Sequence, residues 1–172
     1  MSHTPVQLAP QRYRESFGRH YEDFTVGDFY EHRPGRTLSE ADNTWFTLLT
    51  MNTHPLHFDA EYGKASEFGR CLVASPLTLA VLVGMSVTDV SQKAIANLGW
   101  REIRMTAPVF PGDTLYAESE VLEKRESNSR PTAGLVTVRT TGRNQDRTVV
   151  CSFERTILVA KRGHAVEDRM GY

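Results

Sequence analysis

Between Ser75 and Val90 the chain carries Leu77, Leu79, Val81, Leu82, Val83, Met85 and Val87, so a helix here is apolar on nearly every side. Such a helix has no face to turn to water and must be wrapped by other elements. Ser75 and Pro76 supply the start: a hydroxyl suits a helix entry, and proline in the first turn has no N–H to lose. The apolar run Leu77–Val83 is too short to span a bilayer, so the wrapping has to come from the chain itself.

The wrapping is legible downstream. Ala96 to Ala107, Asp113 to Lys124, Leu135 to Arg143 and Arg147 to Val159 alternate apolar with polar residues or are β-rich. Turns at 111–113 (Pro-Gly-Asp), 127–131 (Ser-Asn-Ser-Arg-Pro) and 144–146 (Asn-Gln-Asp) separate them. This is the pattern of a meander of long antiparallel strands. Upstream, Phe29–Arg33 is expected to be a short strand stopped by Pro34-Gly35. A helix follows, with Thr37-Leu38-Ser39-Glu40 as its capping box and Ala41, Trp45, Leu48 and Leu49 as its apolar face. Pro55 closes it, leaving Asn52 and His54 at its frayed end. Strand, helix, buried helix and long strands imply an α+β domain in which one curved antiparallel sheet wraps a central helix. The expected divisions are a lead segment 1–20, a single domain 21–160 and a loose charged tail 161–172.

Composition narrows the function classes. With 172 residues, 40% of them hydrophobic and 24% charged, the chain suits one globular core. A formal net charge of −1 provides no footprint for nucleic acid or an acidic membrane. Met1 to Arg12 holds no apolar leader, and two cysteines, Cys71 and Cys151, suit reduced thiols, so a cytoplasmic protein is expected. Cys71 lies in no family-specific nucleophile pattern.

The chemistry-bearing segment is Asn52-Thr53-His54-Pro55-Leu56-His57-Phe58-Asp59. His57 ionises near neutrality when free and suits general acid–base work. Asp59, two residues on, shares its face if the segment is extended, and either orients the imidazole or caps a turn. His54, His57 and Asp59 together also make a candidate zinc or iron set, but Pro55 breaks the helical face that would join them.

This segment is similar to the D-x-N-P-x-H core of MaoC-like (R)-specific enoyl-CoA hydratases. Two later landmarks, Phe68-Gly69-Arg70-Cys71-Leu72-Val73-Ala74-Ser75 and Ala107-Pro108-Val109-Phe110-Pro111-Gly112-Asp113-Thr114-Leu115, resemble the same family in order. The flanks Ala41–Thr47 and Asn97–Trp100 resemble its mesaconyl-CoA or itaconyl-CoA subgroup. The resemblance covers 21–159 and implies a hotdog fold, a homodimer or assembly of dimers with the acyl-CoA cleft between protomers, and reversible hydration of an enoyl-CoA. It implies no cofactor and no metal; coenzyme A enters as part of the substrate.

In that family His57 takes the catalytic position, and the Ser75 backbone N–H, where relatives have glycine, takes the oxyanion. The Ser75 side chain then enters the pocket or N-caps the helix. Asn52 stands where the family has Asp, and an amide cannot take a proton from water. Three replacements are open: His57 alone with Asn52 orienting the water, a carboxylate from Asp59 or the partner, or an acidic group on the substrate. Asp42, ten residues earlier on the helix, is roughly 15 Å away. A dicarboxylic substrate calls for an arginine, and Arg70 is nearest in sequence, with Arg101 and Arg104 as candidates for CoA phosphates. Asn52 also motivates a catalytically silent acyl-CoA-binding subunit, and Asn52 with Asp59 a thioesterase.

Overall fold

A computed structural model describes residues 5–171. Its centre is one antiparallel sheet of β3 (Phe29–Thr37), β4 (Ala94–Met105), β5 (Thr114–Glu126), β6 (Ala133–Arg143) and β7 (Val149–Ala160), in the order β3-β5-β6-β7-β4. Before it lies a small hairpin of β1 (Val6–Ala9) and β2 (Arg12–Arg14). The helices are α1 (Glu40–Thr50), α2 (Ala60–Ala65), α3 (Ser75–Met85) and α4 (Val166–Met170). The four expected long strands form with ends shifted by no more than two residues, and α3 is the expected apolar helix. It ends at Met85 rather than Val90, where Val87–Ser91 turns off as a π-helical segment.

Helix α3 sits on the concave sheet face. Leu77 and Leu82 pack with Leu115, Ala117, Cys151 and Phe153, all buried. Gly142 permits the close approach, since a Cβ there would fall 2.4 Å from Leu82. A second apolar cluster gathers Tyr21, Phe24, Val90, Val121, Val136, Val138, Ile157 and Val159. Between the two clusters the inward positions turn polar: His32 on β3, Ser119 on β5, Thr140 on β6 and Arg155 on β7 are all buried. They meet Ser86 and Asp89 at the end of the central helix, through His32 Nδ1–Asp89 Oδ2 at 3.0 Å and Arg155 donating to Ser86 Oγ at 2.8 Å.

Four expectations are corrected. Strand β3 runs through Pro34-Gly35 to Thr37, with its pairing to β5 shifting register between His32 and Arg36. It is an edge strand, where a missing N–H breaks no ladder. The capping box is Ser39 with Asp42, not Thr37 with Glu40: Ser39 Oγ accepts from Asp42 N at 3.1 Å, and Asp42 Oδ2 accepts from Ser39 N at 2.8 Å. Those Ser39 bonds, with Arg36 beside them, hold the Asp42 carboxyl below its usual range.

The third correction concerns α1, whose apolar face points outward. Trp45, Leu48 and Leu49 are 65%, 68% and 79% exposed, while the buried side chains are Asn43 and Thr47. The fourth is the tail, which is docked rather than loose. His20 Nε2 meets Asp168 at 3.2 Å, Arg162 pairs with Asp23, and Arg14 donates to the Gly171 carbonyl. Burial raises the Asp168 carboxyl, but the Ala165 N–H and His20 outweigh it and the net shift is downward. The expected lead and tail also reach positions 1–4 and 172, which lie outside the described residues. No helix among those residues is long and apolar enough to cross a membrane.

Candidate active site

Helix α1 stops at Met51, which takes the left-handed conformation (φ 55°), and this turns Asn52 out of the helix. The Asn52 Oδ1 then accepts from the His54 N–H at 3.1 Å. Pro55 opens a single 3-10 turn, Pro55–His57, for which His54 is the N-cap: its Nδ1 accepts from Leu56 N–H at 3.1 Å. A nitrogen that accepts carries no proton, so neutral His54 holds its hydrogen on Nε2.

His57 has the opposite tautomer. Its Nδ1 lies 3.0 Å from the Leu72 carbonyl oxygen, which can only accept, so Nδ1 carries the proton and Nε2 is left with a lone pair. No hydrogen bond engages Nε2 among the described residues. The His54 and His57 rings stand 5.7 Å apart, centre to centre. Asn52 spends its oxygen on His54, which leaves its NH₂ group as the free part of the amide.

A buried residue ties these pieces together, and sequence reasoning did not single it out. Asn43 on α1 donates through Nδ2 to the His57 carbonyl at 2.7 Å and to the Leu72 carbonyl at 2.8 Å. Its Oδ1 accepts from Ala74 N–H at 2.9 Å, immediately before α3. The available signal was the polar pair Asn43 and Thr47 one helical turn apart, a stripe that ordinarily faces water.

The other expected residues divide. Ser75 is the first residue of α3, after Ala74 as N-cap, so its side chain does not cap the helix. Its N–H has no partner among the described residues, as expected of an orphan donor in a first helical turn. Ser75 lines a cleft of about 300 Å³ with Phe68, Leu72, Thr78, Met105 and Val150. His57 does not itself line that cleft; the link between them is Leu72, which lines it and whose carbonyl holds the imidazole.

Of the two roles open to Asp59, it takes the cap: its Oδ1 accepts from Glu61 N at 3.0 Å and Tyr62 N at 3.1 Å. With Asp59 turned to α2 and His54 Nδ1 spent, the His-x-x-His-x-Asp set is not gathered for a metal. Among the described residues no group of three His, Cys, Asp or Glu is placed to hold one.

Arg70 lies 3.7 Å above the Phe110 ring, which meets Phe68 edge-on at 6.4 Å; its guanidinium makes no hydrogen bond among the described residues. Arg101 and Arg104 are instead engaged on β4, Arg101 with Glu154 at 2.6 Å and Arg104 with Glu102 at 2.6 Å. Burial first, then Asp59 and Glu40, push the Cys71 thiol up, against a thiolate nucleophile. A larger groove of about 470 Å³ crosses the outer sheet face between Glu31, Arg33, Glu118, Arg143 and Arg147, and contains none of these site residues.

Comparison with known proteins gives one consistent picture. Residues 7–171 match the family described as mesaconyl-CoA hydratase. The chain is 38% identical over 148 residues to a mesaconyl-CoA hydratase of Cereibacter sphaeroides, covering 86% of this chain and 43% of that protein. Among solved structures, a MaoC domain protein dehydratase from Chloroflexus aurantiacus superposes with a TM-score of 0.80 at 34% identity, over 84% of this chain and 41% of that one. A Mycobacterium tuberculosis protein with a double hotdog fold superposes with a TM-score of 0.77 at 26% identity, over 84% and 44%. The chain thus spans about two fifths of the length of such relatives, and its fold is the hotdog.

Proposed function

For a chain that belongs to the mesaconyl-CoA hydratase family, within the MaoC-like hotdog proteins, we propose reversible addition of water across the 2,3 double bond of a short enoyl-CoA. The observation that carries this reading is the one-sided hydrogen bonding of His57, with Nδ1–H held by Leu72 and the Nε2 lone pair open. In the forward direction Nε2 takes a proton from water as the water oxygen bonds to C3. The π electrons move toward the thioester oxygen, which the Ser75 N–H receives at the dipole-positive end of α3. The imidazolium then returns a proton to C2, and the net change is one water added with the thioester intact. Asn52 donates from its NH₂ group to hold the water oxygen, and His57 alone carries the proton.

We assign the substrate to the branched, dicarboxylic type that the Cereibacter relative's name indicates, with Arg70 as the group that meets the second carboxylate. Arg70 fits because stacking on Phe110 positions the guanidinium while leaving its donors unspent. The working unit is proposed to be a dimer. Among the described residues strand β4 has no partner on its outer edge; it exposes Ile95, Leu98, Trp100, Ile103 and Met105, and α1 adds Trp45, Leu48 and Leu49. A second copy supplies the other unit that the double-hotdog protein of Mycobacterium tuberculosis holds in one chain. The free thiols Cys71 and Cys151 fit a reducing cytoplasm.

Asn52 favours one other reading, a silent acyl-CoA-binding unit, because its amide cannot act as a base. Incubation with crotonyl-, mesaconyl- and itaconyl-CoA, followed by enone absorbance, product mass and a thiol assay, separates the readings. A gain of one water on the dicarboxylic substrates is expected. Free thiol would establish hydrolysis instead, and binding without conversion would establish the silent unit.

A further inference from the structure

We infer that Asn43 is the positioning residue of this site: one buried amide fixes the tautomer of His57 and holds that imidazole in register with the Ser75 N–H. The inference rests on the proposed hydration for its catalytic meaning, but its structural content stands apart from it.

Asn43 is fully buried, and its side chain ties two separate segments to α1, the turn at His57 and the stretch 72–74 that leads into α3. Both Nδ2 hydrogens are used, one on the His57 backbone carbonyl (2.7 Å) and one on the Leu72 carbonyl (2.8 Å). The Leu72 oxygen also receives His57 Nδ1 at 3.0 Å, so both of its lone pairs are engaged. The imidazole and its own backbone are therefore tied to the same NH₂ group. On the other side, Oδ1 holds the Ala74 N–H, one residue before Ser75. The base and the oxyanion donor thus hang from opposite ends of one planar group.

The amide orientation is forced. Reversed, it would set an oxygen against two carbonyl oxygens and an NH₂ against an N–H, losing all three bonds. Loss of the donors frees the Leu72 carbonyl to drift, and His57 loses the acceptor that selects its Nδ1–H form. Free imidazole would then put a proton on Nε2, where the base needs a lone pair. Thr47, the other buried side chain of α1, has no such role: its Oγ1 donates to the Thr44 carbonyl of its own helix at 2.8 Å.

The test is Asn43→Asp in the full chain, with Thr140→Val as a comparably buried control outside the site. The Asp variant keeps the outline but, ionised, sets a buried carboxylate against two carbonyl oxygens, so lost stability is expected under either role and the His57 tautomer of the folded protein is what separates them. The His57 tautomer is read by ¹⁵N NMR of histidine-labelled protein without substrate. Wild type is expected to show Nδ1–H. The Asp variant is expected to populate Nε2–H, and to lower kcat ten- to a hundredfold with KM changed less than threefold. Thr140→Val, even if equally less stable to heat, should change neither readout.

A wild-type His57 mainly in the Nε2–H form overturns the inference, and does so even if the Asp variant fails to fold. So does a folded Asn43→Asp protein with an unchanged tautomer and kcat, or a Thr140→Val protein that loses both in the same way. Absence of hydration on any substrate would remove the kinetic arm and the proposed reaction, while leaving the tautomer result to stand or fall by itself.

Discussion

His32 is held at both ring nitrogens, by Asp89 Oδ2 at 3.0 Å and Ser119 Oγ at 2.8 Å, and has no exposed surface. His57 is held at Nδ1 alone, in a half-buried turn beside a cleft. The first set has the residue types and spacing of a Ser-His-Asp triad, yet Ser119 is also fully buried and shares a hydrogen bond with Thr140 at 2.8 Å. With neutral rings, a donor chain runs from Thr140 through Ser119 and His32 to the Asp89 carboxylate, where Arg19 meets it at 3.2 Å. A network with every valence closed and no route for a substrate specifies packing. Chemistry needs the opposite: one nitrogen fixed so that the other is committed and open. Distances alone would point to His32; the open Nε2 is what favours His57 in the proposed reaction.

Truncating each histidine should separate the two roles. His57→Ala is expected to cut turnover by about 10²–10⁴-fold, the usual worth of a general acid–base. Its thermal midpoint should stay near wild type, because the Leu72 carbonyl keeps its bond from Asn43. Rates of the wild-type order from this variant would remove His57 from the mechanism. His32→Ala should do the reverse. It leaves Asp89 and Ser119 each short of a partner in the interior, at a cost of about 3 kcal/mol in urea unfolding. Activity per folded molecule should be retained; an inactive but equally stable His32→Ala protein would assign the buried row a catalytic part.

A smaller effect is expected at Asn52, whose amide oxygen is held by the His54 N–H and whose NH₂ group is unspent. Asn52→Asp places a carboxylate where the family pattern has one and gives His57 a second group able to take a proton. The expected outcome is a change in kcat of about tenfold, worth ~1.4 kcal/mol in barrier, with KM changed by less than threefold. An effect confined to KM would make Asn52 a binding residue and leave the water to His57 alone.

The asymmetry between the two regions also decides what was legible from residues alone. The central helix was visible because an all-round apolar run admits few environments, and the strands because alternation and turn signals are local. The turn that carries His57 was legible because it is encoded within six consecutive residues, 52–57. Asn43 and the buried row were not, since their partners come from distant segments. Along β7 the series Cys151, Phe153, Arg155, Ile157, Val159 is apolar but for an arginine, and nothing nearby in sequence announces the Ser86 hydroxyl that receives it. Helix α1 misled for a related reason. Its apolar residues recur at the spacing of a core-facing helix, whereas the core took its amide and the apolar face is exposed.

Arg155 offers the finest test of whether the buried row contributes packing or function. Burial alone pulls its guanidinium down to about 10, and its Nε has no hydrogen-bond partner. One hydrogen bond to Ser86 is thus set against the desolvation of a whole cation. Ser86 does not depend on it, because its Oγ also donates to the Val83 carbonyl at 2.7 Å. Arg155→Met keeps the length and fills the space between the two apolar clusters, so it should raise stability by about 1 kcal/mol. Urea unfolding measures this directly, with the slope checked for a constant unfolded state. A loss of similar size would mean that the guanidinium organises the row, and that the polar layer, like Asn43 at the site, holds its neighbours in place rather than merely being tolerated among them.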